Sequence, residues 1–254
     1  MKSKNYIVVG AAGNLGPVWC RTLLENDHHV IGIGKKVTTD TNLINLRKNF
    51  LETFQCYELD LSDGIDLQEI PILEHNNLDG VVLNLGIDSP PTNLNRRIIE
   101  FSIKEWNEIL NLNVSILVNC INRLIPKMNS ESSIVVIGSM YTRVAPNPRN
   151  YAHVNNGLGF TKNPAYGASK LALESVVKQY AIELAPNIRI NMLSPGAVLG
   201  GQDPEFIRKI SENIPMKRLL NAIELSGHLE YLISEQSKYL TGQNLVIDGG
   251  YSLW

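Results

Sequence analysis

Seven short apolar runs punctuate this chain, and the stretches between most of them are long enough to be helices. The runs are NYIVVG (5–10), HHVIGIG (28–34), FQCYEL (54–59), DGVVLNL (79–85), SSIVVIG (132–138), IRINMLS (188–194) and NLVID (244–248). Most are continuous in Val, Ile and Leu instead of alternating with polar residues. An alternating strand has one face in water, whereas a continuous apolar strand must be covered on both. The covering material is present, the longest helical patterns being 104–125 and 164–185. A repeated strand–helix–strand order builds an α/β, doubly wound parallel sheet, here of about seven strands. No internal repeat, low-complexity tract or linker interrupts it, so residues 1–254 are expected to form a single domain.

Composition narrows the setting. The chain is 44% hydrophobic with a net charge of −2 and no long basic run, so neither nucleic acid nor an anionic membrane is an expected partner. Cys20, Cys56 and Cys120 are too widely spaced for a metal or disulfide pattern. The apolar YIVV after the N-terminal lysines is short for a signal peptide, and no uninterrupted apolar run approaches the roughly 18 residues of a membrane span. A cytoplasmic protein is the expectation.

The first run leads into Gly10-Ala11-Ala12-Gly13-Asn14-Leu15-Gly16, followed by an apolar helix pattern with Pro17 in its first turn. Glycines there let the backbone turn tightly against a pyrophosphate, whose charge the N-terminal N–H groups of the helix stabilise. An acid at the end of the second strand would bind the ribose hydroxyls of NAD. The sequence has Gly34-Lys35-Lys36 instead, which favours NADP(H) over NAD(H).

Tyr166 and Lys170 stand one helical turn apart, separated only by Gly167, Ala168 and Ser169. A lone pair of this kind is more often a surface feature than a site, since i and i+4 side chains share any helix face. Before it, residues 145–163 (APNPRNYAHVNNGLGFTKN) have no period and read as a long loop, a kind often functional in a compact domain.

Together these pieces resemble the short-chain dehydrogenase/reductase family, in its compact single-domain branch with a Rossmann fold. LNLG (83–86) looks like the family's N-N-A-G turn, and WNEILNLNV (106–114) like the helix carrying its catalytic asparagine. IVVIGSM (134–140) resembles the strand end bearing its serine, and INMLSPGA (190–197) its P-G turn. The resemblance implies catalytic roles for Asn113, Ser139, Tyr166 and Lys170. It implies cofactor contacts from Gly10, Gly13, Asn14, Leu15 and Gly16, and from Lys35, Asp60 and Leu61. Asn84, Gly86, Tyr166, Lys170, Pro195, Gly196 and Val198 complete the cofactor set. Asn14 departs from the compact branch, which has glycine there, and Leu199-Gly200-Gly201 replace a usual threonine. Ser139 and Tyr166 are about twice as far apart as is usual, the excess lying in the long loop.

The chemistry suits an alcohol–ketone interconversion. Hydride transfer to or from nicotinamide leaves a proton to be exchanged at oxygen, which Tyr166 would handle. A free phenol has a pKa of about 10, and the nearby Lys170 cation together with the cationic oxidised nicotinamide is expected to favour phenolate, a ~3-unit shift requiring roughly 4 kcal/mol. By resemblance Lys170 also binds the nicotinamide ribose, Ser139 the substrate oxygen, and Asn113 a water of the proton relay. The small residues between Tyr166 and Lys170 would leave room for both ligands.

For substrate, the long loop offers Arg149, Tyr151, His153, Asn155 and Asn156, which suit a hydroxylated or phosphate-bearing molecule. SMYTRVAPNPRNY and PGAVLGGQDPEFIRK resemble the family subgroup linked to bacterial surface-polysaccharide and flagellin-sugar synthesis. A sugar or nucleotide sugar is therefore the first expectation, held by Ser139, Tyr141, Arg149, His153, Tyr166 and Gln202. A 3-oxoacyl-type reductase is the alternative enzyme, and a catalytically silent NADP(H) sensor the alternative class. Segments 145–163 and 197–215 should close over the substrate together, with Asp203 capping a helix that brings Phe206 to the cleft. The apolar excess of LALESVVKQYAIELA and the tail Leu253-Trp254 point to a homo-oligomer, a tetramer or else a dimer.

Overall fold

The computed structural model describes residues 3–61, 70, 78–88, 96–153 and 161–253. Seven parallel strands form one sheet: β1 (Asn5–Val9), β2 (His29–Gly34), β3 (Phe54–Glu58), β4 (Leu78–Leu83), β5 (Met128–Ile137), β6 (Ile188–Pro195) and β7 (Asn244–Ile247). Their order across the sheet is β3-β2-β1-β4-β5-β6-β7. The chain winds outward from β1 in one direction and then, from β4, in the other. The crevice between the ends of β1 and β4 is where such sheets bind ligands.

The continuous apolar runs are covered on both faces, as expected. Ile7, Val9, Val81 and Leu83 pack with Leu117, Ile121, Leu173 and Val177 on one side. Tyr6, Val8 and Val82 pack with Trp19, Leu23, Leu229 and Leu232 on the other. Burying each such aliphatic side chain contributes about 1.5–3 kcal/mol before the entropy of ordering it. Successive strand residues point to opposite faces, so one run serves two cores. The helices that supply these layers are α1 (Gly16–Glu25), α2 (Thr41–Asn49), α4 (Ile116–Leu124), α5 (Pro164–Leu184) and α7 (Ser226–Ile233), with α3 (Ile103–Leu110) and α6 (Pro204–Asn213) outside them.

Two segments differ from their sequence reading. The expected helix over 104–125 is broken by a π turn at Asn111–Ser115 between α3 and α4. Taken whole, Ile103–Lys127 is long and apolar enough by composition to cross a membrane, although no single apolar run reaches that length. Here Ile116, Leu117, Cys120, Ile121 and Leu124 are buried in the core. Within the loop 145–163, Pro148–Tyr151 forms a 3-10 turn, capped by Asn147 Oδ1, which accepts from Arg149 N at 3.0 Å.

Candidate active site

Parallel register delivers the first part of the site. Val9 of β1 lies opposite Leu83 of β4, so the residues that follow, Gly10 and Asn84, leave the sheet side by side. Asn84 then ties the turn together. Its Nδ2 donates to Gly10 O at 2.9 Å, and its Oδ1 accepts from Nε1 of the fully buried Trp19 at 2.9 Å. The backbone leaves no space for side chains there. A Cβ on Gly10, whose φ is +81°, would stand 2.9 Å from Asn84 O, and one on Gly16 would stand 2.1 Å from Ala11 O. Helix α1 starts at Gly16 with no side-chain cap, leaving its first N–H groups without side-chain partners. Gly13, Asn14 and Leu15 line the adjoining cavity. A tight glycine turn ending in an uncapped helix N-terminus fits the pyrophosphate of a dinucleotide.

Beside that turn, Lys35 is exposed and its ammonium is 3.0 Å from Asp60 Oδ1, while Leu61 is buried. At the other end, Pro195, Gly196 and Val198 line the same cavity. A Cβ on Gly196 would lie 2.7 Å from Asp248 Cα, so only glycine lets the chain pass there.

The four expected catalytic residues come from three elements; Ser139, Tyr166 and Lys170 line the cavity, and Asn113 lies outside its lining. Ser139 follows β5, Tyr166 and Lys170 occupy the first turns of α5, and Asn113 sits in the π turn, fully buried. Asn163 Oδ1 caps α5 by accepting from Ala165 N at 2.9 Å, with Pro164 in its first turn. Lys170 is 4% exposed, and its Nζ donates to Ile137 O at 3.1 Å. A Cβ on Gly86 would come within 3.0 Å of that Nζ, so the glycine after β4 makes room for the lysine. Asn113 Nδ2 donates to Ile87 O and to Ser169 Oγ, each at 3.0 Å, and its Oδ1 accepts from Ile87 N at 2.7 Å. Ser169 Oγ in turn donates to Tyr166 O at 2.7 Å. Asn113 thus joins the turn after β4 to the tyrosine-bearing turn of α5. Ser169 is more than a small spacer, because it is the link in that chain.

The expected lowering of the Tyr166 pKa drew on two charges, Lys170 and the oxidised nicotinamide, of which the protein supplies one. Burial pushes the Tyr166 phenol up, to about 12, with the negative charge of Asp88 acting in the same sense and a hydrogen bond with Ser139 opposing. Burial likewise pushes Lys170 down, to about 8, against the pull of Asp88. Loss of water governs both groups, and the lysine does not turn the tyrosine into a phenolate in the protein alone. Tyr166 instead holds its proton, with Tyr141 edge-on to its ring at 6.0 Å between centroids.

The cavity, about 870 Å³, continues outward from these residues. Tyr141, His153 and Gln202 line it as expected, but Arg149 is exposed on its 3-10 turn and outside the lining. Asn155 and Asn156 lie outside the described residues. Gln202 also braces its own loop, donating to Val198 O at 2.7 Å and accepting from Gly200 N at 2.8 Å. The two segments expected to cover the substrate touch each other. His153 Nε2 is 2.9 Å from Asp203 Oδ1, the Tyr151 and Phe206 rings are 5.0 Å apart, and Asn213 Nδ2 donates to Asn150 Oδ1 at 2.8 Å. Asp203 does cap α6, accepting from Phe206 N at 3.0 Å, and Phe206 lines the cavity. Sequence reasoning missed Asp88 and Lys162, which form an ion pair in the lining. Their one signal was proximity, Asp88 two residues past Gly86 and Lys162 four before Tyr166.

Comparison with known proteins agrees with this geometry. A family profile described as enoyl-(acyl carrier protein) reductase matches residues 10–252. A 3-oxoacyl-[acyl-carrier-protein] reductase of Buchnera aphidicola is 32% identical over 96% of this chain and 95% of its own. The post-translational flagellin modification protein A of Campylobacter coli is 27% identical over the whole of both chains. An NADP-dependent mannitol dehydrogenase of Hypocrea jecorina is 25% identical over 99% of this chain and 93% of its own. The sheet order, glycine turn and Tyr–Lys helix define a nucleotide-binding oxidoreductase. The chain belongs to the short-chain dehydrogenase/reductase family, whose members use NAD(P)(H).

Proposed function

We propose that this protein is an NADP(H)-dependent oxidoreductase interconverting a ketone and a secondary alcohol on a sugar or related polyol. The observation that carries the reading is the meeting of Ser139, Tyr166 and Lys170 in one cavity that opens from the glycine turn. Gly13, Asn14, Leu15, Gly86, Lys170 and Gly196 would hold the cofactor. When bound, it supplies or accepts the hydride.

The protein's own residues handle the oxygen and its proton. Ser139 Oγ donates a hydrogen bond to the substrate oxygen and orients it towards Tyr166. The phenol, held protonated by burial, gives its proton to that oxygen during reduction and takes one back during oxidation. Lys170, poised with its pKa near 8, resupplies the proton and anchors the ribose. Asn113 positions both sides of the cleft through Ile87 and Ser169. Lys35 would meet the 2′-phosphate by exchanging its exposed partner Asp60, a pair worth about 0–1 kcal/mol.

Polar groups at the rim, namely Asp88, Tyr151, His153, Lys162 and Gln202, support a hydroxylated substrate over an acyl chain. The relative named for mannitol lends the same support. A 3-oxoacyl substrate is the second reading, favoured by Met140, Phe206 and Ile210 in the same lining and by the Buchnera relative. NADPH oxidation is the test, run with neutral keto-sugars, phosphorylated keto-sugars and a 3-oxoacyl thioester. A thioester kcat/KM more than tenfold above every sugar would overturn the sugar reading.

A further inference from the structure

The serine of the cleft is held by a turn, and the turn is held from outside the cleft. After β5 the chain makes one 3-10 turn, Met140–Thr142, with Ser139 as its cap. Ser139 Oγ accepts from Tyr141 N at 3.2 Å. That bond occupies a lone pair, leaves the hydroxyl proton to donate, and so limits where the group can point. The Ser139 carbonyl accepts twice from Thr142, from N and from Oγ1, each at 3.0 Å. The Thr142 hydroxyl is buried and accepts in turn from Asn244 Nδ2 at 3.0 Å. Asn244 opens β7, and the same Nδ2 donates to Glu174 Oε2 at 2.7 Å.

Glu174 lies on α5, four residues beyond Lys170 and eight beyond Tyr166, so the three run along one side of the helix. The bonds therefore tie the helix that carries the proton donor to the turn that carries the serine, with β7 as the bridge. Asn113 braces the first turns of α5 from the β4 side, through Ser169. Glu174 braces the same helix against the serine turn from the β7 side.

Neither strand formation nor core packing accounts for these residues. Asparagine is a poor strand former, and a β-branched apolar residue would suit a strand beside a helix better. A carboxylate as buried as Glu174 is unfavourable unless compensated. Lys178 Nζ at 2.9 Å and Arg143 Nη1 at 3.5 Å from Oε1 provide that compensation, both cations reaching towards solvent. Burial opposes the charge, yet the bonds from Lys178 and Asn244 and the Arg143 charge hold the Glu174 carboxyl below its ordinary pKa. A carboxylate only accepts, and the single proton of the Thr142 hydroxyl goes to Ser139 O, so both face the amide's Nδ2 end. Asn244 Oδ1 is left buried with no partner among the described residues. A side chain that strands a buried acceptor is a liability to the fold, so the two directed bonds are what Asn244 supplies.

These bonds bear on the reaction through distance. Tyr166 must exchange its proton with the same oxygen that Ser139 holds, and a slide of α5 past the serine turn would part the two groups. We propose that Glu174, Asn244 and Thr142 are positioning residues that act through Ser139, keeping its hydroxyl on the substrate oxygen in register with Tyr166. The proposal rests on the oxidoreductase reading above and deepens it with residues that lie outside the cavity lining.

The test uses the full chain and the substrate that the wild-type protein reduces fastest with NADPH among the keto-sugars and thioester named above. Thr142→Val, Asn244→Val and Glu174→Met each cut one link, and Thr142→Ser keeps the hydroxyl. Each is made alone and in a Ser139→Ala background. Melting temperature and NADPH titration establish that the fold and cofactor site persist. Each cut should lower kcat about tenfold to a hundredfold, the scale of a displaced reacting group, with KM within about threefold of wild type. Thr142→Ser should stay within about threefold of wild type in kcat. In the Ser139→Ala background no cut should lower kcat further, because the group being positioned is gone.

A kcat within about threefold of wild type in Thr142→Val, or in both Asn244→Val and Glu174→Met, would overturn the proposal. So would an equal loss with and without Ser139, which would place the effect elsewhere in the fold. So would a Thr142→Ser as slow as Thr142→Val. If one cut variant does not fold, the others carry the test; failure of all three to fold would make the chain a strut of the domain and overturn it. If the wild type reduces no ketone, or Ser139→Ala is too slow to follow, crystal structures of the wild type and the cut variants decide. A Ser139 Oγ displaced from Tyr166 would support the proposal, and an unmoved one would overturn it. Absent wild-type turnover with a displaced serine would count against the oxidoreductase reading alone.

Discussion

Replacing Asn84 by alanine should loosen the cofactor turn and destabilise the whole domain, although the residue touches no catalytic group. The side chain satisfies two partners, accepting from Trp19 Nε1 at 2.9 Å and donating to Gly10 O at 2.9 Å. Trp19 is fully buried, so Asn84→Ala strands its indole N–H without a partner. A typical hydrogen bond contributes about 1 kcal/mol net, and an orphaned buried donor costs about 1–3 kcal/mol. Gly10 O keeps a second partner, accepting from Gly13 N at 3.2 Å, so its loss of Asn84 costs less. The sum is about 2–4 kcal/mol. For a domain of this size each kcal/mol lowers the melting temperature by about 2–4 °C, so a fall on the order of 10 °C is expected. Calorimetry on the ligand-free protein measures it. A double-mutant cycle with Trp19→Phe isolates the bond, because the lost ring volume enters both rows equally; a coupling of about 1–2 kcal/mol is expected. NADPH affinity should weaken several-fold, since Gly10 loses the contact that sets its turn. A melting temperature within 2 °C of wild type, or strict additivity in the cycle, would refute this account of how the turn is held.

Tyr166→Phe should lower kcat by 10²- to 10⁴-fold while NADPH still binds, and activity within tenfold of wild type would remove the tyrosine from the proton transfer. Lys170 has a folded pKa of about 8 against an ordinary value of 10.5, so the unfolded chain binds more protons between those values. Stability of the ligand-free protein should therefore rise with pH from about 8 to 10.5, and Lys170→Met should lack that rise in thermal melts taken across the window. Lys35→Asp should narrow or reverse a preference for NADPH over NADH, and equal wild-type affinities by fluorescence titration would end the NADP(H) proposal. A homo-oligomer is expected because Leu171 and Ile182 on α5, and Leu253 near the C-terminus, are 52%, 73% and 81% exposed in the single chain. Light scattering showing a monomer at micromolar concentration would count against it.

The sequence revealed the floor of this site and little of its rim, and the reason is geometric. Gly10, Asn84, Ser139 and Pro195 all lie at or just past the ends of neighbouring parallel strands. In a parallel sheet, strand ends in register fall at one edge, so identifying the strands already places those residues together. Tyr166 and Lys170 share a helix face, a relation that spacing alone expresses. The protonation of Tyr166 was not legible in the same way. A lysine four residues away is visible in a sequence, but the desolvation that pushes the phenol up depends on how much of the chain packs around the ring.

The rim follows tertiary packing instead. Arg149 and His153 are four residues apart in one loop, yet only His153 faces the cavity, because the Pro148–Tyr151 turn leaves Arg149 exposed to solvent. Asp88 and Lys162 are 74 positions apart and come from different walls, so no spacing rule pairs them. Their meeting depends on two anchors: the bonds of Asn113 to Ile87 and Ser169, and the Asn163 cap that sets the start of α5. The buried asparagine assigned from its motif to a proton relay thus also fixes the distance across the cleft. If Asn113 and Asn163 set that distance, substitutions at either should disturb substrate selectivity along with catalytic rate. Catalysis and specificity would then share one scaffold, with the floor recognisable from motifs and the rim only from the fold.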